Sequence, residues 1–81
     1  MLTVTVISPE AVLFQGETES VVAPAFDGEL GILTGHAPMM TLLGKGTLRI
    51  GSGDRRFLIE GGFLQVVENQ VRVVTERAKI A

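Results

Sequence analysis

The residues of this chain that could do chemistry are concentrated in one twelve-residue segment, residues 27–38. The segment contains the only histidine of the sequence, His36, together with Asp27, Glu29, three glycines and Pro38. A histidine beside carboxylates can act as a general base with an orienting acid. Because glycine allows positive φ and proline restricts φ, the segment is predicted to be a shaped, charged loop. Loops of this kind often provide contact surfaces.

Enzymatic interpretations of this segment lack the other groups that each would need. A catalytic triad needs a nucleophile, and Ser8, Ser20 and Ser52 are not followed by the helix of a nucleophile elbow. The spacing of the two carboxylates and His36 matches no metal-ligand pattern, and the glycines do not precede the Lys-Ser/Thr of a phosphate loop. We therefore predict no catalytic residue, no metal ligand and no cofactor. Two interpretations of His36 stay open, a hydrogen-bonded loop residue and a contact with a partner protein.

Lys45 suggests an alternative function. It lies between Gly44 and Gly46, which predicts a turn at a hairpin tip. Biotinyl and lipoyl carrier domains are sandwiches of similar length that present one modifiable lysine at such a turn. The lysine of those domains is typically flanked by Met or Asp, whereas Lys45 is flanked by two glycines. A carrier domain modified on Lys45 is therefore kept as the alternative hypothesis only.

Composition and charge limit the class of protein. The 81 residues suffice for one domain, residues 1–81, and 46% hydrophobic with 20% charged residues is typical of a globular chain. The sequence has no signal-peptide pattern, no apolar run of about 20 residues and no cysteine, so a soluble, cytosolic type of protein is expected. All seven Lys and Arg residues follow residue 44, where acids are interspersed among them, and Tyr and Trp are absent. Nucleic-acid binding is therefore disfavoured.

Alternating β-branched and polar residues dominate the chain. In the first segment Leu2, Val4 and Val6 alternate with threonines, and similar short runs recur every eight to twelve residues between glycines and turn residues. This spacing, without an amphipathic helix, predicts an all-β fold, an antiparallel β-sandwich or flattened barrel. Residues 76–81 alone leave room for the start of a helix and are expected to be a tail or a truncated linker.

The same periodicity predicts the core. Truncating one of its larger side chains to Ala should cost about 2–5 kcal/mol of stability. The predicted core residues are Val4, Val6, Phe14, Val22, Ile32, Leu42, Leu48, Ile50, Phe57, Ile59, Leu64, Val66, Val71 and Val73.

Several motifs taken together resemble one family. They are Asp-Gly-Glu-Leu-Gly-Ile followed by Gly-His-Ala-Pro, with Ser-Pro-Glu and Leu-Phe upstream and Glu-Gly-Gly-Phe-Leu-Gln-Val downstream. Across residues 2–76 the chain resembles the N-terminal domain of the epsilon subunit of F-type ATP synthase. The resemblance implies a β-sandwich of about ten strands at the foot of the central stalk, bound to the gamma subunit and resting on the c ring.

The resemblance also implies two sets of contact residues. The set that matches the family's loop facing the polar loops of the c ring is Asp27, Gly28 and Glu29. Those c-ring loops are characteristically basic, so an acidic loop fits them, because opposite charges favour one register. The set that matches positions facing the gamma subunit is Ser8, His36, Met39, Met40 and Thr41.

The function implied by the resemblance is that of a non-catalytic rotor subunit that couples ion-driven rotation of the c ring to ATP synthesis. Such a subunit is peripheral, at the cytoplasmic face of a bacterial inner membrane or the stromal face of a thylakoid. Full-length members continue into a two-helix hairpin that restrains hydrolysis and in some binds ATP. The sequence ends where that hairpin would begin, as in a naturally short member or a truncated one, so no nucleotide binding is expected of it.

Overall fold

The computed structural model describes residues 1–52 and 55–81 as two five-stranded sheets packed face to face. The first sheet has the strand order β2-β1-β9-β8-β5, and the second has the order β10-β7-β6-β3-β4. Among the described residues every strand pair is antiparallel except β1 with β9. The predicted all-β sandwich is confirmed. Its strands are β1 Leu2–Ile7, β2 Val12–Thr18, β3 Ser20–Ala25, β4 Gly28–Leu33, β5 Met39–Leu42, β6 Lys45–Ile50, β7 Arg55–Glu60, β8 Phe63–Val67, β9 Gln70–Val74 and β10 Arg77–Ile80.

The core between the sheets consists of the residues that face inward, which alternate with outward-facing residues along the strands. Eleven of the fourteen predicted core residues are buried there, and Phe14 is half-buried against them. Val22 and Leu42 are wrong predictions, because their neighbours Val21 and Leu43 are the buried residues. Each lies in a short, uninterrupted apolar run. Such a run does not show which of two successive side chains faces inward.

The segment 27–38 is not the loop that its glycines predicted. Gly28–Leu33 forms β4, which pairs with β3 and is an edge strand of the second sheet. Gly31 fits an exposed edge strand because a Cβ added to it would contact nothing within 4 Å. Phe26 and Asp27 form the turn before β4, and only residues 34–38 connect β4 to β5.

Lys45 is not at a hairpin tip. It is the first residue of β6, opposite Glu60 of β7, and follows the short connection by which the chain leaves the first sheet for the second. Pro24 packs at this crossing, since a Cβ added to Gly46 would lie 2.8 Å from the Pro24 Cβ. Gly46 therefore serves close packing of strands, and Lys45 has no protruding turn to present it.

The end of the chain is also a strand. Arg77–Ile80 forms β10 along β7, where a tail or the start of a helix was expected. Buried Thr75 precedes it, and its hydroxyl lies 3.1 Å from the Gly61 carbonyl oxygen and 2.9 Å from that of Arg77. A search of residues 1–52 and 55–81 finds no helix long and apolar enough to cross a membrane.

Another connection between the two sheets lies at Gly61 and Gly62, between β7 and β8. Both glycines have positive φ, +72° and +105°, and the Gly62 carbonyl accepts a 2.9 Å hydrogen bond from the Leu43 backbone N–H. A Cβ added to Gly62 would collide with the Val74 carbonyl oxygen. Glycine is needed there for both conformation and space.

Replacement of Gly62 by Ala should therefore destabilise the sandwich by about 3 kcal/mol or more, because strain and steric overlap add. The matched control is Gly31→Ala, which adds the same methyl group in open space without a positive φ. It should change stability by less than about 1 kcal/mol. Urea unfolding of both variants measures the difference, and equal midpoints would contradict the assigned geometry.

Candidate functional site

The acidic turn between β3 and β4 is exposed. Gly28, with φ +135°, follows Asp27 there, and both residues are open to solvent. The Glu29 carboxylate lies 3.6 Å from the Arg49 guanidinium, with side chains 67% and 42% exposed. A pair this exposed contributes at most about 1 kcal/mol. Within the described part of the chain Asp27 forms no ion pair.

Phe26 is a prominent residue of this turn that the sequence did not single out. Its side chain is 67% exposed immediately before Asp27. Its backbone N–H donates a 3.0 Å hydrogen bond to the Leu42 carbonyl oxygen at the end of β5. The available signal was an aromatic residue directly before an Asp-Gly turn, where large apolar side chains have no core to enter.

His36 is held by its own loop. Its Nδ1–H donates to the Ala37 carbonyl oxygen at 2.7 Å, and its backbone N–H donates to that of Leu33 at 3.1 Å. The hydrogen bond of its ring therefore goes to a carbonyl group and not to Asp27 or Glu29, the acids that a general base would need. The ring is half-buried, so part of it still faces solvent.

Asn69 positions the connection that contains His36. Its side-chain oxygen accepts a 2.7 Å hydrogen bond from the Gly35 N–H, and its carbonyl accepts one of 2.8 Å from the Thr3 N–H. Asn69 and Glu68 form the β8–β9 turn with positive φ of 63° and 48°. Asn tolerates this left-handed conformation, which was a signal available in the sequence.

Ser8 lies in the turn between β1 and β2. Its hydroxyl accepts hydrogen bonds from the backbone N–H groups of Glu10, at 3.4 Å, and Ala11, at 3.3 Å. The turn borders a groove of about 540 Å³ whose other walls are β6, β7 and β10. Ser8 therefore stabilises its own turn at the end of β1.

An apolar row crosses the outer face of the first sheet. The strand register places one apolar residue of each strand beside the next, and in β5, β8, β9 and β1 that residue adjoins a buried one. With strands about 4.8 Å apart, the row is about 19 Å long. Its two ends are exposed and its middle is half-buried. From β5 to β2 the apolar row consists of Leu42, Phe63, Val74, Ile7 and Val12.

The three remaining predicted residues belong to β5. Met40 is 63% exposed and lies on the same outer face as the apolar row, opposite Gln65. Met39 and Thr41 are half-buried, and Met39 packs against the core. Of this group, only Met40 is well exposed on the outer face.

Of the predicted residues, Asp27, Gly28 and Glu29 lie together at the acidic turn, and Met40 shares the outer face of the apolar row. His36 lies apart from both, beside the β8–β9 turn, at the opposite end of β8 and β9 from Phe63 and Val74. The hydrogen bond from Phe26 to Leu42 brings the turn to one end of the row, and Ser8 follows Ile7 near the other end. In residues 1–52 and 55–81 no three His, Asp or Glu side chains are placed to hold a metal ion. The geometry is that of contact surfaces.

Curated relatives match nearly the whole chain. The chain is 42% identical to the ATP synthase epsilon chain of Leptospira borgpetersenii over 98% of its own length and 64% of the relative. It is 44% identical to the epsilon chain of Desulforamulus reducens, over 94% of its length and 59% of the relative, and 45% identical to that of Rhodopirellula baltica, over 90% and 59%. The chain thus spans about three-fifths of the length of these relatives.

Solved structures show the same fold. A chain of the Euglena gracilis mitochondrial ATP synthase, in a structure of OSCP, F1 and the c-ring, superposes with a TM-score of 0.89 and 24% identity, over 98% of this chain and 52% of that one. A chain of the Tetrahymena thermophila mitochondrial ATP synthase central stalk and c-ring superposes with a TM-score of 0.79 and 22% identity, over 96% of this chain and 65% of that one. The family described as "ATP synthase, Delta/Epsilon chain, beta-sandwich domain" matches residues 1–81, and the chain belongs to that family.

Proposed function

We propose that the chain is a non-catalytic part of the ATP synthase rotor that joins the gamma subunit to the c ring. The apolar row faces gamma, and the acidic turn faces the polar loops of the ring. The proposal rests on the apolar row, together with the relatives named ATP synthase epsilon chain. The chain would then be peripheral to the membrane and held there by the complex.

The apolar row is suited to a protein partner. Leu42 and Val12 are 64% and 59% exposed, and the half-buried residues between them make the apolar surface continuous across five strands. Contiguous apolar surface of this kind marks interaction sites, whereas scattered apolar residues do not. Covering it recovers about 25 cal/mol per Å² of apolar area, which makes it the principal source of affinity in the proposed complex.

The acidic turn is suited to a weaker, orienting contact. Asp27 and Glu29 are exposed, and Glu29 already shares its charge with Arg49. Exposed charges steer association and select register, but they add little net affinity. In the proposed assembly the turn aligns the sandwich with a basic loop of the ring, while gamma holds it.

The alternative of a modified carrier domain is not favoured by the structure. Carrier function requires a lysine on a projecting turn, and Lys45 is a strand residue of β6 paired with Glu60. The two proposed contacts use the exposed surfaces that the fold does present.

Leu42→Asp should weaken binding to isolated gamma subunit at least about tenfold, because it places a charge in an apolar contact. The matched control is Leu33→Asp, since Leu33 is also 64% exposed but lies on the edge of the second sheet. Titration calorimetry with both variants measures the effect. An equal loss for the two, or none for Leu42→Asp, would refute the proposed gamma surface.

Glu29→Lys should weaken association with the c ring at low salt, because it repels a basic loop and leaves Arg49 without its partner. The effect should vanish near 1 M salt, where the screening length is about 3 Å. Glu19→Lys, an exposed acid outside the turn, is the control. Binding of the gamma-bound chain to purified c ring measures the effect; a loss that is independent of salt would contradict an electrostatic role.

A further inference from the structure

We propose that Phe26 is the apolar anchor of the contact between the β3–β4 turn and the c ring. This inference rests on the proposed function and adds to it a residue that the acidic motif does not include. Phe26 would supply an apolar contribution to the affinity, which salt does not screen. The acids would supply an electrostatic contribution, which salt does screen.

The backbone that leads into Phe26 is held in place by contacts with the end of β5 and the residues after it. Its N–H is bonded to the Leu42 carbonyl oxygen, the preceding Ala25 bridges to Leu43, and the Pro24 carbonyl accepts a 2.8 Å hydrogen bond from the Gly44 N–H. The turn is therefore fastened to the end of β5 in the other sheet. A side chain presented from such a backbone loses little additional freedom on binding.

The side chain of Phe26 has no role inside the sandwich. It is 67% exposed, whereas Ala23 and Pro24, which precede it in β3, are buried. An aromatic ring at the tip of a fixed turn gives a large apolar contact at a cost of only two side-chain torsions. Stabilisation of the sandwich therefore does not explain this side chain, and its exposure fits a contact outside the chain.

Relative magnitudes favour Phe26 over the acids as the anchor. An exposed charge pair changes affinity by about fivefold at most, and Glu29 is already paired with Arg49. Complete burial of a phenylalanine side chain changes affinity by more than about tenfold. A contact made by Asp27 and Glu29 alone would be weak and would disappear in salt, whereas one that includes Phe26 persists.

The position of Phe26 assigns it to the same partner as the acids. It directly precedes Asp27 in one two-residue turn, so a loop that reaches one residue reaches the other. The apolar row belongs to the first sheet, and Phe26 belongs to a hairpin of the second. Because of its adjacency to Asp27, the occupant assigned to Phe26 is the one proposed for the acids, a basic loop of the c ring.

The experiment compares Phe26→Ala with Leu33→Ala and Glu29→Lys. Leu33, at the other end of β4, is 64% exposed and serves as the matched control. Binding of each gamma-bound chain to purified, detergent-solubilised c ring is measured at low salt and near 1 M salt. Phe26→Ala should reduce affinity about tenfold at both, Glu29→Lys only at low salt, and Leu33→Ala at neither.

Three results would overturn the inference. Full affinity of Phe26→Ala, with Glu29→Lys still salt-sensitive, removes the anchor and leaves the proposed function intact. A tenfold loss of binding to isolated gamma by Phe26→Ala assigns the residue to the other partner. If neither Phe26→Ala nor Glu29→Lys changes binding to the c ring, the proposed contact between the turn and the ring is itself refuted. Thermal unfolding of Phe26→Ala near that of the parent establishes that the losses are not due to unfolding, since the replaced ring is exposed.

Discussion

Close backbone packing where the chain passes between the two sheets is the constraint on which the structure depends. At Gly62 the Val74 carbonyl occupies the space of a side chain, and at Gly46 the Pro24 ring nearly does. These two crossings, from β5 to β6 and from β7 to β8, are joined by the hydrogen bond from Leu43 to Gly62. They bring the backbones of the two sheets together at one end of the core.

The same crossings determine which surfaces lie together. Because the chain leaves β5 at Leu43, the end of that edge strand lies against the β3–β4 hairpin, where Ala25 bridges to Leu43 and Phe26 bonds to Leu42. Leu42 in the edge strand of one sheet and the β3–β4 turn of the other sheet are thus neighbours through backbone contacts alone. The acidic turn therefore lies at one end of the apolar row.

Alternation alone was sufficient to predict the fold, because period-two burial of β-branched residues is a local property. Three features were not local. The inward residue of the pairs Val21–Val22 and Leu42–Leu43 depends on register with distant strands. The glycines of β4 are typical of a loop, and only the position of β4 at the exposed edge of its sheet explains them as strand residues. The Asp-Gly pair after Phe26 indicates an exposed turn, but the hydrogen bond that fixes this turn joins Phe26 to Leu42, sixteen positions along the chain.

The proposed coupling of two partners depends on rigidity more than on affinity. The acidic turn is joined through Leu42 to β5, and β5 pairs with β8, which contributes Phe63 to the apolar row. Every step of this path is a backbone hydrogen bond or a paired strand, and these resist deformation better than side-chain contacts do. The path does not include residues 34–38, which Asn69 holds separately. In the proposed assembly the two contact surfaces are thus connected through paired backbone and not through the longest connection between strands.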